Sequence, residues 1–98
     1  MKPHAFHPEA DAEYAVAAEH YAGIGADLGG RFYDEIERLI AIIKEGPHRF
    51  REYDPPARRL LAKGFPFAVV YLDEPDRIWI VAIMPLHRDP DYWKHRLM

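Results

Sequence analysis

The 98-residue chain contains no cysteine. That absence excludes a disulfide framework, a thiolate metal site and a thiol nucleophile, and a secreted form would have no covalent staple, so a reducing cytoplasm is the expected setting. No apolar run approaches the ~20 residues of a membrane span, and Met1 to Ala10 carries charge and two prolines where an export signal needs an apolar stretch. Export and membrane insertion are therefore not expected. An excess of positive charge is also missing. Lysine and arginine number 13 against 16 aspartates and glutamates, a net charge of −3, which argues against gross, non-specific attraction to nucleic acid, because that attraction rests on cations neutralising phosphates. No repeat, linker or low-complexity segment interrupts the chain. Its length suffices for one core and not for two, so residues 1–98 are read as one domain.

What charge there is falls unevenly. Residues 1–48 hold four basic and nine acidic side chains, whereas 49–63 hold Arg49, Arg51, Arg58, Arg59 and Lys63 against Glu52 and Asp54. A local basic surface on an acidic protein is compatible with this distribution, and so are ordinary solvated charges on a loop and a strand edge.

The apolar pattern predicts the elements. His4 to His7 is centred on Ala5 and Phe6 and suits a short strand, after which Pro8 fits the first turn of a helix, where its missing N–H is harmless. Tyr14, Ala17, Ala18, Tyr21 and Ala22 then recur at helical spacing, with Glu13 and Glu19 elsewhere on the wheel, until Gly23 and Gly25. A second stripe of Leu28, Phe32, Ile36, Leu39, Ile40 and Ile43 follows Asp27 and stops at Gly46-Pro47, so the two helices should pack as a hairpin. Beyond the stiff Pro55-Pro56 pair, three strands are predicted: Arg58 to Lys63, Phe67 to Leu72, and the apolar run Ile78 to Met84. The turn residues Asp73 to Asp76 join the last two as an antiparallel hairpin. The expected fold is α+β, a two-layer sandwich in the order β-α-α-β-β-β, with a helical hairpin on a mainly antiparallel sheet. The last strand should be central and covered on both faces.

This element order, the segment Phe65-Pro66-Phe67-Ala68-Val69-Val70-Tyr71, the isoleucine-rich strand, and His87-Arg88-Asp89-Pro90-Asp91-Tyr92-Trp93 together resemble the RelE/ParE toxin superfamily of type II toxin–antitoxin systems. Tyr14, Tyr21 and Phe32 fit the same pattern. The resemblance implies two mechanisms on one fold, so fold alone does not decide function. RelE-like members cut messenger RNA in the ribosomal A site with basic and acid/base side chains. ParE-like members poison DNA gyrase.

An RNA-cleaving site must activate a 2′-hydroxyl, stabilise a crowded phosphate and protonate a leaving oxygen. The candidate groups for that catalysis are Arg58 or Arg59, Lys63, His87, Arg88 and Tyr92, with the plainer alternatives that Arg59 lies over the core and that Tyr92 and Trp93 pack the tail. One departure from the resemblance bears on the choice. Where several ribosome-dependent members carry a tyrosine-arginine pair, with the arginine at the scissile phosphate, this chain has Phe67-Ala68. Alanine cannot hold a phosphate.

The ParE-like branch is therefore expected, with Arg58, Arg59, Arg88, Tyr92 and Trp93 contacting target or antitoxin. A co-encoded antitoxin should lay an amphipathic helix, with or without an added strand, across the toxin to form a hetero-oligomer. The alternatives are a ribosome-dependent endoribonuclease and a harmless homologue that only binds its antitoxin. No cofactor is called for. The six histidines form no convincing metal set: His4 and His7 on a strand point to opposite faces, and His87 with Asp89 and Asp91 lacks further converging ligands.

Overall fold

A computed structural model of the chain describes residues 1–97. The elements are β1 (His4–Phe6), α1 (Pro8–Ile24), α2 (Ala26–Glu45), β2 (Glu52–Asp54), β3 (Ala57–Leu61), β4 (Phe67–Asp73) and β5 (Ile78–Pro85), with single 3-10 turns at Pro47–Arg49 and Lys94–Leu97. The strands form one five-stranded sheet in the order β1-β5-β4-β3-β2, in which β1 runs parallel to β5 and every other neighbour is antiparallel. The α+β layout and the helical hairpin match the sequence pattern. β2 was not anticipated: three residues, two of them charged, carry too short an alternation to register as a strand.

Both helices start and stop for local reasons. Pro8 opens α1, and the His7 ring accepts the Glu9 N–H as its cap. Gly25 alone separates α1 from α2. The helices then approach so closely that a Cβ added at Gly29 would lie 2.8 Å from the Ala22 methyl and 2.9 Å from its Cα, a contact that only glycine avoids. The stripe on α2 is buried as its spacing predicts. Phe32, Ile36 and Ile43 are fully enclosed, and Tyr14 and Ala17 of α1 complete that layer.

Strand alternation sends Phe67, Val69, Tyr71, Ile78, Ile80 and Ile83 toward the helices and Ala68, Val70, Ala82 and Met84 to the opposite face. A bulge in β5 breaks the alternation once. Val70 pairs with Ala82 and Tyr71 with Ile80, which leaves Val81 as the extra residue, and Val81 and Ala82 both point away from the helices. The helix side holds an aromatic cluster in which Phe65 packs on Tyr21 and Phe32 at 5.0 and 5.3 Å, and Phe67 on Phe32 at 5.1 Å. Phe65 and Phe67 of the Phe65-Pro66-Phe67 motif are thus core-packing residues, the buried Phe67 contributing about 1.5–3 kcal/mol and the partly buried Phe65 less.

The second face of the sheet is covered by the carboxyl-terminal segment. Trp93 is fully buried there in one cluster with Ala57, Ala68, Val70, Ala82 and Met84, and its ring lies 6.2 Å from that of Tyr53 on β2. Three alanines on the sheet leave the volume that an indole fills.

Candidate functional site

The densest polar constellation lies where β1 ends and β5 continues without a strand on that side. β1 pairs only with residues 78–80, so the outward backbone groups of the next residues need other partners. Glu13 of α1 and Arg96 provide them. The Ile83 N–H donates to Glu13 Oε1 at 3.1 Å, and Arg96 Nη1 donates to the Val81 carbonyl at 3.1 Å. Arg96 also holds the Glu13 carboxylate in a bidentate pair, each bond 2.9 Å long, and the Tyr92 hydroxyl donates to Glu13 Oε2 at 2.6 Å. The carboxylate therefore joins α1, β5 and the carboxyl-terminal segment at one point. Burial, reinforced by the hydrogen bond to Glu13, pushes the Tyr92 hydroxyl well above the ordinary phenol range. At neutral pH Tyr92 is a fixed donor and not a poised acid or base.

The other candidates take separate positions. Arg88 lies 3.9 Å from Glu13 and stacks over the Tyr92 ring at 3.8 Å, its side chain half-exposed. Arg59, on the second face of β3, stacks over Tyr53 at 3.8 Å. Arg58 faces the helix side and donates to the Phe50 carbonyl. Lys63 sits in the β3–β4 turn at the corner with α2, where its backbone N–H donates to Glu35 at 2.7 Å. His87 is exposed, and Trp93 is enclosed. Arg88 and Tyr92 are thus brought together, around Glu13, while Arg58, Arg59 and Lys63 lie on three different parts of β3 and its turn. Ala68 is fully buried on the second face. Glu13 is the residue that sequence reasoning missed: its place on the helical wheel reads as solvent, and its partners stand far along the chain.

Beside this constellation runs a groove of about 410 Å³ between α1 and the outer edge of β5. Ala12, Val16, Ala17, Phe67, Ile83 and Pro85 line it, with Arg88 at the rim. Its sheet edge is already occupied or blunted. Glu13 takes the Ile83 N–H, Arg96 takes the Val81 carbonyl, and Pro85 brings no N–H at all.

No family model matches the sequence, and no curated protein is significantly similar to it. Among solved structures, a chain of the chromosomal ParDE TA system from P. aeruginosa superposes with a TM-score of 0.76 at 18% identity, covering 89% of this chain and 98% of that one. The two chains share one fold. The shared fold extends over nearly all of both chains. No described helix is long and apolar enough to cross a membrane.

Proposed function

We propose that this chain is the toxin of a type II toxin–antitoxin module, that it inhibits growth by a ParE-like action on DNA gyrase in the cytoplasm, and that a co-encoded antitoxin neutralises it. The ParDE-like fold supports the toxin assignment. The observation that carries the choice of mechanism is the burial of Ala68 beneath the carboxyl-terminal segment. The sheet face on which a nuclease of this fold would present its arginine is filled here by Trp93, and the remaining acid/base candidates are dispersed or, like Tyr92, committed to Glu13.

The antitoxin's place, on this reading, is the groove between α1 and β5. With the edge of β5 blunted, an added strand would find few free partners, so the occupant satisfies its own backbone hydrogen bonds as a helix and inserts apolar side chains. The test is induced expression with and without the neighbouring open reading frame, followed by gyrase supercoiling with purified protein. Growth arrest relieved by the neighbour, together with blocked supercoiling, is the expected result. Supercoiling left intact while ribosome-bound messenger is cut would overturn the gyrase reading in favour of the endoribonuclease, with Arg59, Lys63 and Arg88 on phosphate.

A further inference from the structure

The open edges of the sheet are not finished alike. β2 carries Glu52 and Asp54 and is bent by a bulge, and the stretch of β5 beyond β1 is taken up by Glu13, Arg96 and Pro85. β1 has no such device. The Ile78 N–H donates to the Pro3 carbonyl and the His7 N–H to the Ile80 carbonyl, so by alternation Pro3, Ala5 and His7 turn their backbone groups toward β5. His4 and Phe6 turn theirs outward. Among the described residues neither their N–H groups nor their carbonyls have a hydrogen-bond partner.

The two ends of this edge differ on the helix side, where the rings of His4 and Phe6 lie 5.7 Å apart. At the Phe6 end the Tyr14 ring stands 5.9 Å from Phe6 and carries Tyr33 stacked on it at 5.8 Å. Tyr33 is 53% exposed, a large ring held in place yet left in solvent. At the His4 end a hollow of about 220 Å³ opens between β1 and α2, lined by Met1, His4, Glu37, Ile40, Ala41 and Lys44. Among the described residues the Lys44 ammonium has no carboxylate within ion-pair distance. One end thus projects an aromatic ring, and the other offers an unfilled recess with a cation at its rim.

We propose that the β1 edge is an interface between two copies of this chain, which pair antiparallel about Ala5 and join their sheets into one. A two-fold axis through Ala5 sets His4 of each copy opposite Phe6 of the other. Such pairs exchange both N–H groups and both carbonyls, so every outward group on the two edges is satisfied at once, in four hydrogen bonds. At the axis Ala5 meets Ala5 of the other copy, where non-hydrogen-bonded Cα atoms approach to about 4.5 Å and a methyl is small enough to fit. Backbone pairing over three residues is weak alone. The same axis exchanges the two ends of the edge, and so carries Tyr33 of each copy toward the recess beside His4 of the other, where Lys44 can meet the ring face. A foreign strand would satisfy the backbone groups, but only a second copy supplies both the ring and the recess. The proposal is independent of the toxin reading and leaves free the groove between α1 and β5, which lies beyond the end of β1.

The test is sedimentation velocity of the full chain over roughly 1–100 μM, a range that spans the affinities of ordinary reversible dimers. The wild type should pass from monomer to dimer, and amide exchange at His4 and Phe6 should slow as it does. His4→Pro removes an outward N–H and no bond within the chain, and so deletes two of the four bonds between copies. Tyr33→Lys sets an ammonium against Lys44 of the other copy. Each change should weaken dimerisation at least about tenfold while the circular dichroism spectrum stays as it was. A wild type that remains monomeric throughout overturns the proposal, and so does a dimer that neither change weakens. A dimer weakened by His4→Pro but not by Tyr33→Lys supports the paired edge and overturns the ring-in-recess contact. Should proline disturb folding, the exposed Tyr33→Lys decides alone: weakened dimerisation supports the interface, and an unchanged dimer overturns it. A monomer that binds the co-encoded antitoxin less well after His4→Pro gives the edge to a foreign strand and overturns the second copy.

Discussion

Arg96 and Glu13, 83 positions apart in the sequence, meet in two parallel hydrogen bonds of 2.9 Å. Their side chains are 5% and 15% exposed, so the pair is charged and nearly enclosed. Such a pair gains little over an apolar replacement, but losing one partner is costly, because the other charge is left desolvated and alone.

Glu13→Ala should therefore destabilise the protein by about 3–5 kcal/mol, since it abandons Arg96, the Tyr92 hydroxyl and the Ile83 N–H together. Urea unfolding monitored by circular dichroism checks this. A loss below about 1 kcal/mol would show that the carboxylate is dispensable.

Ala68→Arg introduces the residue type that the resemblance to ribosome-dependent toxins would place here, at a position with no exposed surface. The guanidinium would have to displace Trp93 or remain buried without a partner, at a cost of roughly 3 kcal/mol or more. A lowered melting temperature with no gain of messenger cleavage is expected; a stable variant that cuts RNA would refute the packing argument.

Gly29→Ala should lower stability by about 1–3 kcal/mol, even though alanine is the better helix former, because its methyl meets the Ala22 backbone at 2.9 Å and forces α1 and α2 apart. Thermal melts of the two proteins decide it, and an unchanged or higher midpoint would contradict it.

Stability should also fall at alkaline pH. Burial raises Tyr71 to about 12, and burial together with hydrogen bonding to Glu37 and Glu13 raises Tyr14 and Tyr92 further. The unfolded chain loses these protons near pH 10 while the folded chain keeps them, so the stabilisation is complete below pH 10 and is lost as pH rises above it. Urea midpoints between pH 8 and 11 should decline, less steeply in Tyr92→Phe. A flat profile would mean that these hydroxyls ionise in place.

Most of the fold was legible because its elements obey local rules. Pro8 marks the start of α1, the Phe32-to-Ile43 stripe declares the buried side of α2, and the continuous apolar run at Ile78 to Met84 identifies a strand covered on both faces. What covers the second face was not legible. Trp93 reads equally as a contact residue or as packing, and only the three small residues Ala57, Ala68 and Ala82, brought beneath it by strand pairing, decide between them. The Val81 bulge leaves no mark in composition. Glu13 was invisible for a different reason: a carboxylate on a helix is ordinarily surface, and the groups that draw it inward become its neighbours only after the sheet has formed.

That dependence has a kinetic side. Closing a contact across 83 residues is costly in chain entropy until the sheet and the helical hairpin have brought the ends together, so the Glu13–Arg96 clasp belongs to the last steps of folding. Interactions absent from the transition state act on the escape rate and not on the approach rate. The clasp therefore governs how long a folded molecule persists, and weakening it would shorten that lifetime while leaving the speed of folding almost untouched.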